Sequence, residues 1–325
     1  MKKYAQILAS GSYLPPNIIT NNDLVNKLAK DGIETSDQWI SERTGIKSRC
    51  FASQDQKTSD LAVIAAQRAI DKSNEAADAI DLIIVATTTP DFIFPSTACI
   101  VQRKLQLNKI AAFDVQAVCS GFVYALHIAN SLIVSGAHKK ILVIGAEVFS
   151  GILNFKDRVT CILFGDGAGA MILKSSDKPG IIDSEVCSDG NYENILNVPA
   201  QVRNGEIIGN PFAQMEGQAV YKMAVNVMSD CATTILKRNS LAISDINWLI
   251  PHQANLRIMN SIINKINANN SQLISTVANH ANTSAASIPL AFDLAVSEGK
   301  IKSGDTTLML GVGGGFTWGG ILAQV

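Results

Sequence analysis

The sequence predicts an α/β fold built from two similar halves, and two observations carry that prediction. Strand-like apolar runs alternate with helix-like stretches, the pattern of buried strands covered by helices. The same order of runs then recurs at an offset of 166 residues. Leu82-Ile83-Ile84 corresponds to Trp248-Leu249-Ile250, and Leu142-Val143-Ile144-Gly145 to Leu308-Met309-Leu310-Gly311. Between them, the helix after Cys119 corresponds to the helix after Ala285. Each half reads strand, strand, helix, strand, which implies two units packed face to face and a site where equivalent strand ends meet. The halves are placed at residues 1–175 and 176–325.

Strands are expected at Asp81–Thr87, Ile110–Val115, Lys140–Ala146, Ala168–Lys174, Asn247–Pro251, Leu273–Val277 and Thr306–Gly311, where β-branched and apolar residues run together. Helices are expected at Ser59–Ser73, Ser120–Ser135, Gly217–Arg238, Asn255–Ala268 and Ala285–Glu298. The N-terminal MKKYAQILASGSYLPP has two lysines but no sustained apolar stretch behind them, so it reads as a first strand and loop rather than a signal peptide.

Of the 325 residues, 47% are hydrophobic, enough for a large core. Charged residues make up 17% and the formal net charge is -1, which argues against disorder and against nucleic-acid binding. No apolar run approaches the ~18 residues of a membrane span. The six cysteines are scattered without a Cys-x-x-Cys pair, so neither a disulfide framework nor a structural zinc site is expected, and a reducing cytoplasm is the default.

Two glycine-rich stretches resemble phosphate-binding loops and fail the test of context. Gly311-Val-Gly-Gly-Gly-Phe316 has Phe316 where a dinucleotide fingerprint needs its last glycine, with too few residues behind it for the required helix. Phe164-Gly-Asp-Gly-Ala-Gly-Ala170 runs into another strand and has no Walker lysine. Both are read as tight turns whose backbone closely approaches a neighbour.

Cys119, in Ala117-Val-Cys-Ser-Gly-Phe122, sits between a buried strand and a helix, the context of a nucleophile elbow. Unpaired amides and the positive helix end there are expected to depress the thiol pKa. The alternative is a small buried hydrophobe. His252 directly follows an apolar strand, where α/β active sites form. His127 and His138 read as structural or solvated. Asn282 precedes a helix and reads either as a site residue or as a turn or N-cap asparagine. His280 beside it reads as a polar loop residue.

Taken together, Ala117-Val-Cys-Ser-Gly-Phe122, Pro251-His-Gln-Ala-Asn-Leu-Arg257 and Asn282-Thr-Ser-Ala-Ala-Ser287 resemble the three active-site motifs of β-ketoacyl-[acyl carrier protein] synthase III. That family initiates type II fatty-acid synthesis. Gly11-Ser-Tyr-Leu-Pro15, Asp37-Gln-Trp-Ile40, Arg43-Thr-Gly-Ile46, Phe164–Ala170 and Gly313-Gly-Gly-Phe-Thr-Trp-Gly319 extend the resemblance over essentially the whole chain. It implies a thiolase-like fold layered α/β/α/β/α, a soluble cytoplasmic homodimer, and an acyltransferase without cofactor or metal.

The implied reaction is decarboxylative condensation of a short acyl-CoA, typically acetyl-CoA, with malonyl-acyl carrier protein, giving a 3-oxoacyl carrier protein, CoA and CO₂. Cys119 is implied as the nucleophile, and His252 and Asn282 as donors to the developing enolate. The amides of Cys119 and Gly314 are the implied oxyanion hole. Trp39, Arg43 and Arg158 match CoA-binding positions. Phe94 matches a position reaching into the partner's acyl pocket. Lys222 matches a carrier-docking position, and Arg257 and Lys265 lie eight apart on one helix face. No Asp or Glu occurs from Ile246 to Phe292, which suits an acidic carrier protein.

The chain departs from the family pattern at Ala281, where the family usually has glycine, and at Val312, where it often has phenylalanine. Three rival readings compete with this one. A papain-like protease is disfavoured by the missing signature around the cysteine. A non-catalytic relative is disfavoured by the presence of all three central residues. An enzyme of the same type using another primer or acceptor in secondary metabolism is the remaining alternative.

Overall fold

The computed structural model describes residues 3–325 and places two β-sheets around a shared helical layer. The first sheet has the strand order Tyr4–Tyr13, Gly167–Ser176, Lys140–Glu147, Leu82–Ala86, Ala111–Val115. The second runs Ile181–Ser188, Thr317–Gln324, Thr306–Gly313, Trp248–Pro251. In each, the first two pairings in that order are antiparallel and the remaining ones parallel. The two orders match element for element, up to a fifth position that the second sheet occupies only with a single parallel bridge, Leu249 to Leu273.

The strand expected at Leu273–Val277 is therefore not formed. The Thr276 amide donates to Gln253 Oε1 at 2.8 Å, and a short helix follows at Val277–His280. Tertiary bonding ends the pairing after one rung although the residues themselves favour a strand. The 166-residue offset holds for the parallel strands, Leu82–Ala86 with Trp248–Pro251 and Lys140–Glu147 with Thr306–Gly313. The edge strand Ile181–Ser188 and its neighbour Thr317–Gln324 fall outside it and were not anticipated.

The shared layer consists of Gly121–Val134 and Ser287–Ser297, both hydrophobic nearly all round because both faces are covered by sheet. Strand periodicity divides the side chains. Leu82, Ile84 and Ala86 face this layer, while Ile83 and Val85 pack outward on Thr58–Ser73. In the second sheet Ile250 and Met309 face inward, and Leu249, Leu308 and Leu310 pack on Gly217–Arg238 and Leu256–Lys265. The layers thus run α/β/α/β/α.

Small residues permit this compaction. A Cβ on Gly145 would lie 2.3 Å from the Ala285 carbonyl oxygen, and one on Gly121 would lie 3.2 Å from the Ala86 Cβ. The Phe164–Ala170 turn behaves as expected of a close approach. A Cβ on Gly165 would meet the His280 carbonyl oxygen at 3.0 Å. Asp166 is buried and holds the turn by accepting from Ala52 N, Ser150 N and Ser150 Oγ at 2.6–2.8 Å. No helix among the described residues is long and apolar enough to cross a membrane.

Candidate active site

A cavity of about 500 Å³ opens at the strand ends where the two halves meet, and Cys119, His252 and Asn282 all line it. Leu163, Phe164, Leu196, Met215, Ile258 and Phe316 make most of its wall apolar. Trp39 and Arg43 come from the helix Asp37–Thr44, which belongs to an excursion of the first half. The buried guanidinium of Arg49 anchors that excursion, donating to Asn21 Oδ1 and to the Ile162 carbonyl, both at 2.8 Å.

Cys119 lies in a single 3-10 turn, Val118–Ser120, immediately before the helix Gly121–Val134. Val118 has φ +48°, a rare value for a β-branched residue, so the elbow is strained as nucleophile turns often are. Ser120 Oγ ties the turn to Ala117 O and Thr317 Oγ1, both at 2.8 Å. The expected depression of the thiol pKa is not found. Burial pushes the Cys119 thiol up to about 12, and the nearby Glu147 carboxylate pushes the same way. A hydrogen bond from the Ser284 side chain works in the opposite direction. Desolvation outweighs whatever the helix end contributes, because the sulfur is fully enclosed.

His252 follows the strand Trp248–Pro251, and its amide donates to Leu310 O at 2.7 Å, which extends the strand pairing. Its Nδ1 lies 2.7 Å from Ser287 Oγ, and the Gln253 amide donates to the same oxygen at 3.4 Å. Ser287 thus engages Nδ1, and when its hydroxyl donates there the ring proton sits on Nε2. Burial lowers the His252 pKa to about 3, so the imidazole is neutral near pH 7 and is a donor rather than a base.

Asn282 is positioned by its backbone, whose amide donates to Leu163 O at 2.9 Å while its carbonyl accepts from Gly165 N at 3.0 Å. Its side-chain Oδ1 accepts from Ser284 N at 2.9 Å. The acceptor end of the amide is thus occupied, and Nδ2 remains as the donating end.

The remaining residues expected at the site lie in different places. A Cβ on Gly314 would strike Leu196 O at 2.5 Å, whereas one on Gly313 would lie 2.7 Å from the Cys119 amide nitrogen. Gly313, not Gly314, is the glycine whose bareness lets the loop approach Cys119. Arg43 and Arg158 both stack on the Trp39 indole, at 4.3 and 4.8 Å from its ring centre, so the three expected CoA-binding residues form one cluster at the mouth. Arg257 lines the same mouth; Lys222 and Lys265 are exposed, and Lys265 pairs with Asp230 at 3.6 Å. Phe94 stands apart, 84% exposed beside Phe92 and Ile93, and does not line its own chain's cavity. Val312 does line it.

Three contributors escaped sequence reasoning: Ser287, Ser284 and Glu147. The first two lie inside the Asn282–Ser287 motif, and a serine there reads as a cap. Glu147 is a lone acid ending the run Ile141–Ala146, and it is completely buried. An acid closing an otherwise apolar strand was the available signal.

Comparison with known proteins agrees with this geometry. The family model described as 3-oxoacyl-[acyl-carrier-protein] synthase III matches residues 113–190, and the model for its C-terminal part matches residues 236–325. The solved 3-oxoacyl-[acyl-carrier-protein] synthase III from Aquifex aeolicus VF5 is 41% identical with a TM-score of 0.92, covering 99% of this chain and 100% of that one. The β-ketoacyl-[acyl carrier protein] synthase III from Thermus thermophilus is 37% identical with a TM-score of 0.91, covering 98% and 99%. The priming β-ketosynthase of the R1128 polyketide pathway is 29% identical with a TM-score of 0.91, covering 99% and 97%. With the thiolase-like fold and the match over its full described length, the chain belongs to the 3-oxoacyl-[acyl-carrier-protein] synthase III family.

Proposed function

We propose that this chain condenses a short acyl-CoA, acetyl-CoA foremost, with malonyl-acyl carrier protein, releasing CoA and CO₂ and initiating fatty-acid synthesis. The observation that carries the reading is one cavity lined by a buried thiol, by His252 with its Nδ1 engaged by Ser287, and by Asn282 with its acceptor oxygen engaged, which suits His252 Nε2 and Asn282 Nδ2 as donors.

The Cys119 sulfur takes the acyl group from CoA and becomes a thioester. Malonyl-carrier protein then loses CO₂, and negative charge develops on its thioester oxygen. His252 and Asn282 stabilise that charge without proton transfer, since the ring is neutral and an amide cannot take a proton. The resulting carbon nucleophile attacks the acyl-enzyme. An apolar wall favours decarboxylation by removing water from the carboxylate that is lost.

In this reading the Trp39–Arg43–Arg158 cluster holds the nucleotide end of CoA, and Lys222, Arg257 and Lys265 receive the acidic carrier protein. The working form is a homodimer in which Phe94, solvent-exposed in one chain, enters the partner's acyl pocket. Val312 supports a second reading, a different primer, because a valine leaves room in the wall that a larger side chain would fill. A primer screen with acetyl-, butyryl- and octanoyl-CoA, read by product mass, decides between them. Acetyl or butyryl preference that shifts toward octanoyl in Phe94→Thr supports the first reading; good octanoyl use by the unaltered protein sinks the short-primer assignment.

A further inference from the structure

We propose that Glu147 is a positioning residue for Asn282, reaching it from the other half of the fold through the Ser284 hydroxyl. The inference rests on the condensing reading above, in which Asn282 Nδ2 donates to the malonyl thioester oxygen.

The backbone bonds of Asn282 to Leu163 and Gly165 fix its main chain but leave the side-chain amide free to turn. Turned over, the amide would present Oδ1, an acceptor, to an oxygen that gathers negative charge. Among the described residues, the one hydrogen bond to this side chain comes from the Ser284 amide, which donates to Oδ1 at 2.9 Å. The direction of Nδ2 therefore depends on where the Ser284 amide stands.

Ser284 does not stand there by local preference. Its φ of +50° is left-handed, a strained value for serine that persists only where the surroundings impose it. Ser284 is buried, and its hydroxyl donates to Glu147 Oε1 at 3.0 Å. Glu147 ends the strand Lys140–Glu147 and is fully buried. It is itself fixed from the first half. Its Oε2 accepts from Thr89 Oγ1 at 2.6 Å, from Thr87 Oγ1 at 3.2 Å, and from the amides of Thr88 and Thr89 at 3.1 Å. Oε2 thus serves the Thr87–Thr89 turn, while Oε1, shared with the Thr88 amide at 3.2 Å, crosses to Ser284. A continuous run of hydrogen bonds leads from that turn through Glu147 and Ser284 to the Asn282 side chain.

All of these partners are uncharged, and a carboxylate buried without a cation is costly, so burial raises Glu147 to about 7. The link to Ser284 does not need the charge. A glutamine can keep its oxygen toward the Thr88 and Thr89 amides and turn its nitrogen to Ser284, whose hydroxyl then accepts instead of donating. Glu147→Gln should therefore hold Asn282 in place, whereas Glu147→Ala and Ser284→Ala should release it.

The test measures malonyl decarboxylation and acyl-enzyme formation separately in these three variants, each also combined with Asn282→Ala. Ser284→Ala and Glu147→Ala should slow decarboxylation about tenfold, the scale of one lost hydrogen bond, and acyl-enzyme formation much less. Glu147→Gln should recover most of that loss. In the Asn282→Ala background none of the three should slow decarboxylation further, because their effect passes through the missing side chain. Equal loss of both half-reactions, or losses that add to that of Asn282→Ala, would overturn the proposal. Should Glu147→Ala fail to fold, Ser284→Ala decides by the same criteria, since it leaves Glu147 in place. A second readout is independent of the reaction. With asparagine carrying an NMR-active nitrogen isotope, the Asn282 side-chain amide signals are identified by their loss in Asn282→Ala. They should shift or broaden in Ser284→Ala and Glu147→Ala and stay near their original place in Glu147→Gln. Signals unmoved in the two alanine variants overturn the positioning role. An unaltered protein that neither takes an acyl group nor decarboxylates malonyl-carrier protein would defeat the condensing reading, while the amide signals would still judge how Asn282 is held.

Discussion

Val118 and Ser284 stand at equivalent positions in the two halves and share one backbone conformation, with φ +48° and +50°. Each opens a 3-10 turn that leads into the central helix of its half. The elbow is thus duplicated, but its next residue is Cys119 in the first half and Ala285 in the second. The first copy carries Cys119, the proposed nucleophile. The second brings Asn282 and Ser284 against it.

Cys119→Ala should abolish acyl transfer from CoA, because none of the other five cysteines lies at a strand–helix elbow or lines the cavity. Intact mass after incubation with acetyl-CoA should show one acyl adduct in the unaltered protein and none in the variant. An adduct persisting in the variant would place the nucleophile elsewhere.

His252→Ala and Asn282→Ala should slow malonyl decarboxylation by ~10²–10³ and acyl-enzyme formation much less, since each removes a donor aimed at the enolate. Ser287→Ala should follow His252→Ala in kind but more mildly, roughly tenfold, because it frees the tautomer without removing the ring. Equal loss of both half-reactions in all three would contradict the division of roles.

Ala281 has φ +56° and ψ -159°, a region that is nearly glycine-only. The departure from the family pattern therefore has a conformational cost. Ala281→Gly should stabilise the fold by about 1 kcal/mol, the relief of strain exceeding the entropy of the added glycine. Thermal unfolding should shift upward by a few degrees, and a lower midpoint would show that the methyl group contributes more by packing than it costs in strain.

Stability should fall as the pH drops below 6.5. Burial lowers His252 to about 3 and His280 to about 4, so the unfolded chain takes up protons that the folded chain refuses. That stability is complete above pH 6.5 and is lost toward the folded values, at about 1.4 kcal/mol per pH unit per histidine. Glu147, raised to about 7, acts oppositely from pH 4.5 upward, so roughly one histidine's slope remains between pH 4.5 and 6.5. Urea unfolding of His280→Asn should remove that net slope, and an unaltered slope would show that His280 is not one of its sources.

Carrier-protein affinity should fall about tenfold for Lys222→Glu and for Arg257→Glu and weaken with added salt. Lys265→Glu should cost less, because Asp230 and Asn226 already hold that ammonium. Titration of labelled carrier protein measures all three, and an order with Lys265 first would move the docking surface.

The sequence by itself determined the strands of the first sheet, the parallel pair of the second, the five long helices and the duplicated halves, and it singled out Cys119, His252 and Asn282, which the fold brings to one cavity. Each of these depends on local pattern: apolar runs, helix periodicity, and short motifs whose residues are neighbours in the chain. What it left open depends on residues far apart in sequence. The strand expected at Leu273–Val277 gave way to a bond from Thr276 to Gln253. The burial of Cys119, which reverses the expected direction of its pKa, results from closure of the two halves over it. Glu147 met Ser284 only across 137 residues of chain, and Ser287 met His252 across 35. Desolvation and hydrogen-bond geometry are properties of a filled space, and the space exists only once the halves have packed.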